Sequence, residues 1–525
     1  MKRRNKVKFL MLILFFCISL ASCKADVSEL NINSRDYINY GVRNIDVNFR
    51  PFEGRIENMD IYSALFDGLF EENKSGAIVP VLLEGYKKSN DGLEYILTLK
   101  KDIYWSDGSQ ITSQDVISYF SQVLSQKNNS DVIQGLYSIY GVKAYHEGKI
   151  DFSGVAIIKV DDKNIKIRMN NKDDALIQKL ADPRYRLVKD IDSLKNLIPN
   201  YKKVVYSGAY RIQEVNSDGT IMLKHNEKYW DRESKAQEKI KVSCYSSTEM
   251  ALADLQTNKI DVFKGAPISE VEKLYVDNKL QVYPLEKTLI LKFNLAEKSI
   301  TSNLAFRRAI DSAIKYELYN YLGVKSGIYE VTRGDITRNR KQGDLALFTS
   351  ENVIEDSKLK EKKAKSIQDA KSLLSSIGDV KMDRLNLLYE ERDEEVATLI
   401  KNCLLDNLKI NINLVSYKND ESANNQDYDM KISTYDFSKV EEDEIYKDIL
   451  IDSNCKTIEY EKNKFINMES NFSDKDTEKI RNVISNRVLC LPLLFENQVI
   501  CKSAKINYVD FDKDGNVKLK SIEVK

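Results

Sequence analysis

The sequence predicts an α/β fold, and three observations carry that prediction. Leu93-Glu94-Tyr95-Ile96-Leu97-Thr98-Leu99-Lys100 places Leu93, Tyr95, Leu97 and Leu99 on one face, the period-2 pattern of a half-buried strand. Val116, Tyr119, Phe120, Val123 and Leu124 recur at helical spacing behind Thr112 and Asp115, a capped helix start. Glu394–Leu408 reads as an amphipathic helix that leads into a strand-like run at 410–415. Strand-like and helix-like segments interleave in this way along nearly the whole chain, as they do where helices cover a sheet.

The first residues carry a different message. Lys2, Arg3, Arg4, Lys6 and Lys8 form a basic start, residues 9–20 an apolar run, and Leu20-Ala21-Ser22 a small-residue cleavage site, which together read as a secretory signal over 1–22. The apolar run is shorter than the about 20 residues a membrane span needs. Leu20-Ala21-Ser22-Cys23 resembles the lipobox of bacterial lipoproteins, which implies that Cys23 is lipidated and becomes the first residue of the mature chain. The plainer alternative is an ordinary cleaved signal, or an uncleaved anchor, followed by a chance cysteine. Polar residues 26–34 read as part of a tether over 23–37.

Further along, Trp105-Ser106-Asp107-Gly108 reads as a tight turn. Residues 303–322 form a helix with Ala309, Ile310, Ala313 and Ile314 inward and Gly323 as its stop. Residues 369–377 form another amphipathic helix, and Lys/Glu-rich 356–371 a solvated helix face or loop. Gly208 and Gly219 read as turns.

The composition is globular, with 42% hydrophobic residues. Removing the signal leaves about 500 residues, room for two to four domains. Five of the 80 basic side chains lie in the first 22 residues, so the mature chain has 75 basic against 80 acidic groups. No basic stripe suggests nucleic acid as a partner. Cys244, Cys403, Cys455, Cys490 and Cys501 have neither a disulfide framework nor zinc spacing. They read as buried free thiols, or as including one hairpin bridge between Cys490 and Cys501.

A series of motifs follows in order: Leu65-Phe66-Asp67-Gly68-Leu69-Phe70, Trp105-Ser106-Asp107-Gly108, Thr112-Ser113-Gln114-Asp115-Val116, Ser207-Gly208-Ala209-Tyr210, Asn226-Glu227-Lys228-Tyr229-Trp230, Ala253-Asp254-Leu255 with Ile260-Asp261, and Phe306-Arg307-Arg308-Ala309-Ile310. Taken together they resemble the extracellular solute-binding proteins of the oligopeptide/dipeptide family, family 5, which feed ABC transporters. The resemblance covers roughly residues 38–501 and thins after Gly323. It implies a two-lobed periplasmic-binding-protein fold, class II-like, with an extra subdomain and a cleft between the lobes. Lobe I is expected to comprise 38–57, 181–290 and 491–525, the extra subdomain 58–180, and lobe II 291–490.

In that family an extended peptide pairs its backbone with strands of both lobes, so every sequence offers the same N–H and C=O groups. One pairing segment would follow Ile45-Asp46-Val47, near 52–58 and including Ile56. The other would be the strand after Tyr428-Asp429, residues 430–438. Family members there read "G-W-x-A-D-Y", where this chain has Thr434-Tyr435-Asp436-Phe437-Ser438. Tyr435 supplies an aromatic wall, and Phe437 lies beside it. Ser438 stands where an aspartate would meet the peptide's ammonium. Removing a buried charge partner costs about 3–5 kcal/mol, which a serine does not restore. Asp436 lies on the same strand face about 6.8 Å away. It either replaces the missing anchor or is merely exposed. Val47 and Ala209 also stand where the family has proline.

The resemblance therefore implies a lipid-anchored component of an ABC importer. It would capture oligopeptides and pass them to permease subunits, and would be a monomer without metal or cofactor. It would be exported and held at the cell membrane, facing the periplasm or cell surface. The alternative is a diverged surface lipoprotein that binds a host or envelope macromolecule or a non-peptide solute. An enzyme is not expected, because His146 and His225 sit in no metal or nucleophile motif and no phosphate-binding glycine loop occurs.

Overall fold

A computed structural model of the chain describes residues 35–46, 48–52, 56–73, 76–125, 128, 131–233, 236–297, 299–318, 329–332, 356–378, 384–417, 427–437, 442–452, 459–466 and 473–525. Cys23, Val47, Gly323, Ser438 and Cys455 lie outside these residues.

Among the described residues an eleven-stranded sheet runs through both halves of the chain. Its strands are β1 (Ile38–Val42), β2 (Tyr210–Val215), β3 (Ile221–His225), β4 (Lys239–Cys244), β5 (Val262–Lys264), β6 (Leu280–Phe293), β7 (Tyr329–Val331), β8 (Leu385–Glu390), β9 (Ile412–Tyr417), β10 (Met430–Asp436) and β11 (Cys490–Lys502). The spatial order is β9-β8-β10-β6-β11-β5-β1-β4-β3-β2, with β7 also paired to β11. A separate antiparallel sheet joins Leu83–Lys88, Glu94–Leu99, Asn164–Arg168 and Ile157–Lys159.

Two large apolar cores flank the long strands β6 and β11. One gathers Tyr40, Phe66, Leu97, Trp105, Phe120, Ile212 and Val242. The other gathers Leu291, Phe306, Ile310, Leu387, Ile400, Ile432 and Leu491. Each fully buried side chain of this size contributes about 1.5–3 kcal/mol. Among the described residues only β6 and β11 run unbroken between the cores, and their pairing slips midway. Pro284 faces Asn497, yet Thr288 faces Phe495. Two extra residues on β6 make a bulge there, which bends and twists the ladder.

Local patterns explain the elements around this frame. In Glu94–Leu99, Tyr95, Leu97 and Leu99 are buried and the intervening residues half-buried. Helix α1 (Ser113–Val123) buries Val116, Tyr119, Phe120 and Val123. The Asp115 carboxylate reaches back to accept from the Thr112 N–H at 2.8 Å, which satisfies a donor left over at the helix start. Helix α2 (Leu304–Leu318) turns Phe306, Ala309, Ile310, Ala313 and Ile314 inward. Residues 356–371 form the expected solvated helix face, and they continue through 369–375 as one helix, α3 (Asp356–Ser375), rather than preceding a separate one. From Lys360 onward, where its side chains are described, it is mostly exposed, with Ala370 buried. Helix α4 (Glu394–Leu408) ends at Lys409, whose left-handed φ of 61° turns the chain. Strand β9 consequently starts at Ile412, two residues later than the pattern suggests.

Two motif residues do work the sequence hides. Arg307, only 2% exposed, donates to the carbonyls of Thr301 and Ser302 at 2.8 and 2.7 Å and to those of Arg487 and Val488 at 2.6 and 2.7 Å. The last two close the end of helix α5 (Asp474–Arg487), where unpaired carbonyls and the helix dipole favour a cation. Gly208 is not a left-handed turn residue. A Cβ there would lie 2.6 Å from Ala64 O, Leu65 C and Phe66 N, so close backbone approach is the reason for glycine.

Asp67 belongs to a buried charge cluster that fastens the C-terminal segment. Its Oδ1 lies 3.6 Å from both Arg186 and Lys520, and its Oδ2 accepts from Trp230 Nε1 at 3.0 Å. Lys520 also reaches Glu71 at 3.0 Å. Burial alone would raise the Glu71 carboxyl, but Lys520, Arg186 and Lys518 outweigh it and hold it at about 2.

Cys490 and Cys501 both lie on β11. Eleven residues of straight strand separate their Cα atoms by about 37 Å, far beyond the roughly 7 Å limit for a disulfide. Both are free and buried, and burial pushes each thiol up to about 12.

Candidate functional site

Strand directions locate a cleft. In the second half, β8 runs parallel to β9 and β10, so their carboxyl ends, Glu390, Tyr417 and Asp436, share one edge. Because β10 is antiparallel to β6, with Asp436 opposite Lys287, that edge faces the β6 bulge. In the first half, β1 is parallel to β4 and β5, and β5 is antiparallel to β11. The carboxyl ends there, Val42, Cys244 and Lys264, therefore face the bulge from the other side. Open α/β sheets bind ligands beyond the carboxyl ends of their strands, and here two such edges meet across two continuous strands.

The second-half edge is crowded with charge. Asp436, with 18% of its side chain exposed, lies 3.9 Å from Lys287. The next N–H, of Phe437, donates to the carbonyl of Glu286 in the bulge at 2.8 Å. Tyr435 is half-buried, with the Lys292 ammonium 4.9 Å from its ring centre, a favourable cation–π arrangement. Arg392, in the turn after β8, meets Glu390 at 2.8 Å and donates to Thr434 Oγ1 at 3.0 Å. Asp393 follows and is buried. Burial raises its carboxyl to about 7; Arg392 opposes the shift, while Glu496 and Glu390 add to it.

The first-half edge is a clamped loop. The Asp46 carboxylate accepts from the N–H groups of Glu57 and Asn58 at 2.8 and 3.1 Å, and Asn58 Oδ1 accepts from the Asp46 N–H at 2.7 Å. These bonds close the segment between β1 and the helix Met59–Leu65 and hold Ile56 near its end. Behind the loop, Asp60 is buried, hydrogen-bonded to the Tyr40 hydroxyl and 3.9 Å from Lys264.

Residues 77–453 match the family described as bacterial extracellular solute-binding proteins, family 5 Middle. The chain belongs to that family. It is similar to the oligopeptide-binding protein OppA of Bacillus subtilis (strain 168), with 24% identity over 443 residues, 79% of this chain and 77% of OppA. It is also similar to the periplasmic murein peptide-binding protein MppA of Escherichia coli (strain K12), with 25% identity over 376 residues, 68% of this chain and 66% of MppA. The structure of a periplasmic oligopeptide-binding protein, OppAIV, from Borrelia burgdorferi superposes with a TM-score of 0.67 at 17% identity, covering 93% of this chain and 100% of that one. The unliganded open form of MppA gives 0.66 at 17%, covering 94% and 98%. These structural likenesses establish the two-lobed fold.

Within this family 5 chain, the residues singled out from sequence fall on both edges. Tyr435, Asp436 and Phe437 sit at the carboxyl end of β10, on the second-half edge. Ile56 belongs to the clamped loop of the first-half edge, where it is 7% exposed and packed into the core. Asp436 is not simply exposed, since Lys287 faces it. Sequence reading missed Arg392, Asp393, Glu390 and Glu496, which share the edge of Tyr435 but come from three separate strands and turns. His225 lies edge-on to the rings of Tyr210 and Tyr229, each 6.2 Å away, which is a packing role. A cavity of about 150 Å³ between α2, α5 and the start of β11 involves none of Ile56, Tyr435, Asp436 and Phe437. It is smaller than the roughly 300 Å³ at which small-molecule sites begin. Among the described residues no helix is long and apolar enough to cross a membrane.

Proposed function

We propose that this chain is the substrate-binding component of an ABC importer and that it captures oligopeptides between its two lobes for delivery to permease subunits. The observation that carries this reading is the meeting of two strand-end edges across the β6–β11 bulge. The lobes can bend about that bulge while both ladders stay intact. The relatives named for oligopeptide and murein peptide binding support peptide as the ligand class.

In this reading the peptide backbone pairs along 435–438, with Tyr435 as an aromatic wall, Phe437 beside it, Asp436 and Ser438 lining the strand, and Ile56 contributed by the opposing loop. Lobe I comprises 38–57, 181–290 and 491–525, the extra subdomain 58–180 and lobe II 291–490. Cleavage before Cys23 and lipidation of that residue hold the exported monomer at the membrane near its permease, which raises its local concentration there.

Small-angle X-ray scattering of the mature protein with a mixed short-peptide pool tests capture by closure. The expected result is a smaller radius of gyration together with a higher melting temperature. An unchanged radius and melting temperature at saturating pool would count against capture.

A further inference from the structure

The bulge on β6 is held from two sides. Leu285, Glu286 and Lys287 lie between the paired residues Pro284 and Thr288. The Glu286 carbonyl accepts from the Phe437 N–H at 2.8 Å, and Lys287 stands opposite Asp436 on β10. Leu285 is held the other way, by a hairpin near the C-terminus. Asp512 closes the turn of that hairpin. Its N–H donates to the Asn516 carbonyl at 2.9 Å, and its Oδ1 accepts from the N–H groups of Asp514 and Asn516 at 3.0 and 2.8 Å. Phe511 and Val517 pair across it, and Gly515 turns the tip at a left-handed φ of 80°.

This hairpin follows one face of β6. Gln281, Tyr283 and Leu285 alternate along the strand and so share that face. The Gln281 side chain bonds both backbone groups of Val509, accepting from its N–H at 3.1 Å and donating to its carbonyl at 2.6 Å. The Tyr283 ring stacks on Phe511 with centres 5.0 Å apart. At the tip, a Cβ on Gly515 would lie 2.6 Å from Leu285 Cδ2 and 3.0 Å from Gln498 Cβ. Leu285 is only 6% exposed. Val509, Phe511, Val517 and Leu519 belong to the first core, and Lys518 donates to the Glu72 carbonyl at 2.8 Å. The hairpin is therefore part of the first half. One peptide, Leu285–Glu286, separates residues fixed to opposite halves.

We infer that the C-terminal hairpin, 509–517, clamps Leu285 to the first half and confines the bending of β6 to the Leu285–Glu286 peptide, which makes Leu285 and Gly515 positioning residues for ligand capture. The inference rests on the peptide-capture reading. With the clamp in place, Glu286 moves with the strand proposed to pair the ligand while Leu285 stays behind, so the two edges approach along one path. Without it the bend spreads into Leu285, and closure must order one more residue's backbone. That weakens binding by about 5- to 30-fold.

The test joins small-angle X-ray scattering to calorimetric titration with the short-peptide pool, compared by midpoint concentration. The proteins are wild type, Leu285→Ala, Leu285→Met, Gly515→Ser and Arg307→Met, a destabilised control remote from the bulge, each checked for a cooperative melt. Leu285→Ala and Gly515→Ser should enlarge the ligand-free radius of gyration and raise the midpoint about 5- to 30-fold, with the peptide-bound radius unchanged. Leu285→Met refills the contact and should restore both readings. Arg307→Met should melt lower yet keep the wild-type radius and midpoint, which separates clamping from loss of stability. A wild-type radius and midpoint in Leu285→Ala, or equal changes in Arg307→Met, would overturn the inference and leave peptide capture intact. If Leu285→Ala does not fold, the same readings on Gly515→Ser decide. If wild type binds no peptide, peptide capture fails, and a ligand-free radius unchanged in both variants overturns the clamp as well.

Discussion

Replacing Glu71 by glutamine removes one carboxylate from the cluster that joins Asp67, Arg186 and Lys520, and its effect follows from the pH at which that carboxylate takes up a proton. In the folded chain Glu71 is held at about 2 against an ordinary 4.5. A depressed carboxylate adds stability above its unfolded pKa and loses it as pH falls toward the folded one. A shift of this size is worth about 3 kcal/mol at neutral pH. Between pH 5 and pH 3 the wild type should lose about 2 kcal/mol through this residue. Glu71→Gln should therefore be about 3 kcal/mol less stable at pH 7, and the gap should shrink to about 1 kcal/mol by pH 3. Urea unfolding followed by tryptophan fluorescence reads this directly, because Trp230 donates to Asp67 in the same cluster. Parallel stability–pH curves for the two proteins would show that Lys520 and Arg186 do not hold Glu71 in this way.

Other substitutions probe the frame around the cleft. Arg307→Met should lower stability by about 3 kcal/mol or more in urea unfolding, since four backbone carbonyls lose a charged donor in a buried place. Equal stability would mean that water replaces the guanidinium. Gly208→Ala should cost about 1–3 kcal/mol through a 2.6 Å clash with the backbone of residues 64–66, visible as a lower melting temperature. A melt as high as wild type would remove close approach as the reason for this glycine.

How much of this was legible in the sequence depended on the range of the interactions involved. Glu394–Leu408 is a helix over its full expected length, and Tyr95, Leu97 and Leu99 are buried as their alternation implied, because burial on one face leaves a periodic trace. The Thr112–Asp115 cap was readable for a similar reason, its partners being three residues apart. Nothing local marks Lys520 as the partner of Glu71, 449 residues away, or Arg307 as the donor that closes a helix ending at Arg487. Gly208 was misread because glycine serves both turns and tight packing, and only the neighbouring backbone tells the two apart. The joining of 356–371 to the following helix was obscured by lysines and glutamates that face solvent along most of its length. At the cleft, Tyr435–Phe437 could be placed by resemblance to a motif. Arg392 could not, because its contact to Thr434 joins a turn to a strand 42 residues further on and leaves no spacing to recognise.

Peptide capture is tested most directly by native mass spectrometry of the mature protein as purified, with fragmentation of whatever it releases. The account predicts satellite masses above the apo protein that dissociate into short peptides of varied sequence. A clean apo mass, joined by no thermal shift with mixed peptides, would contradict it.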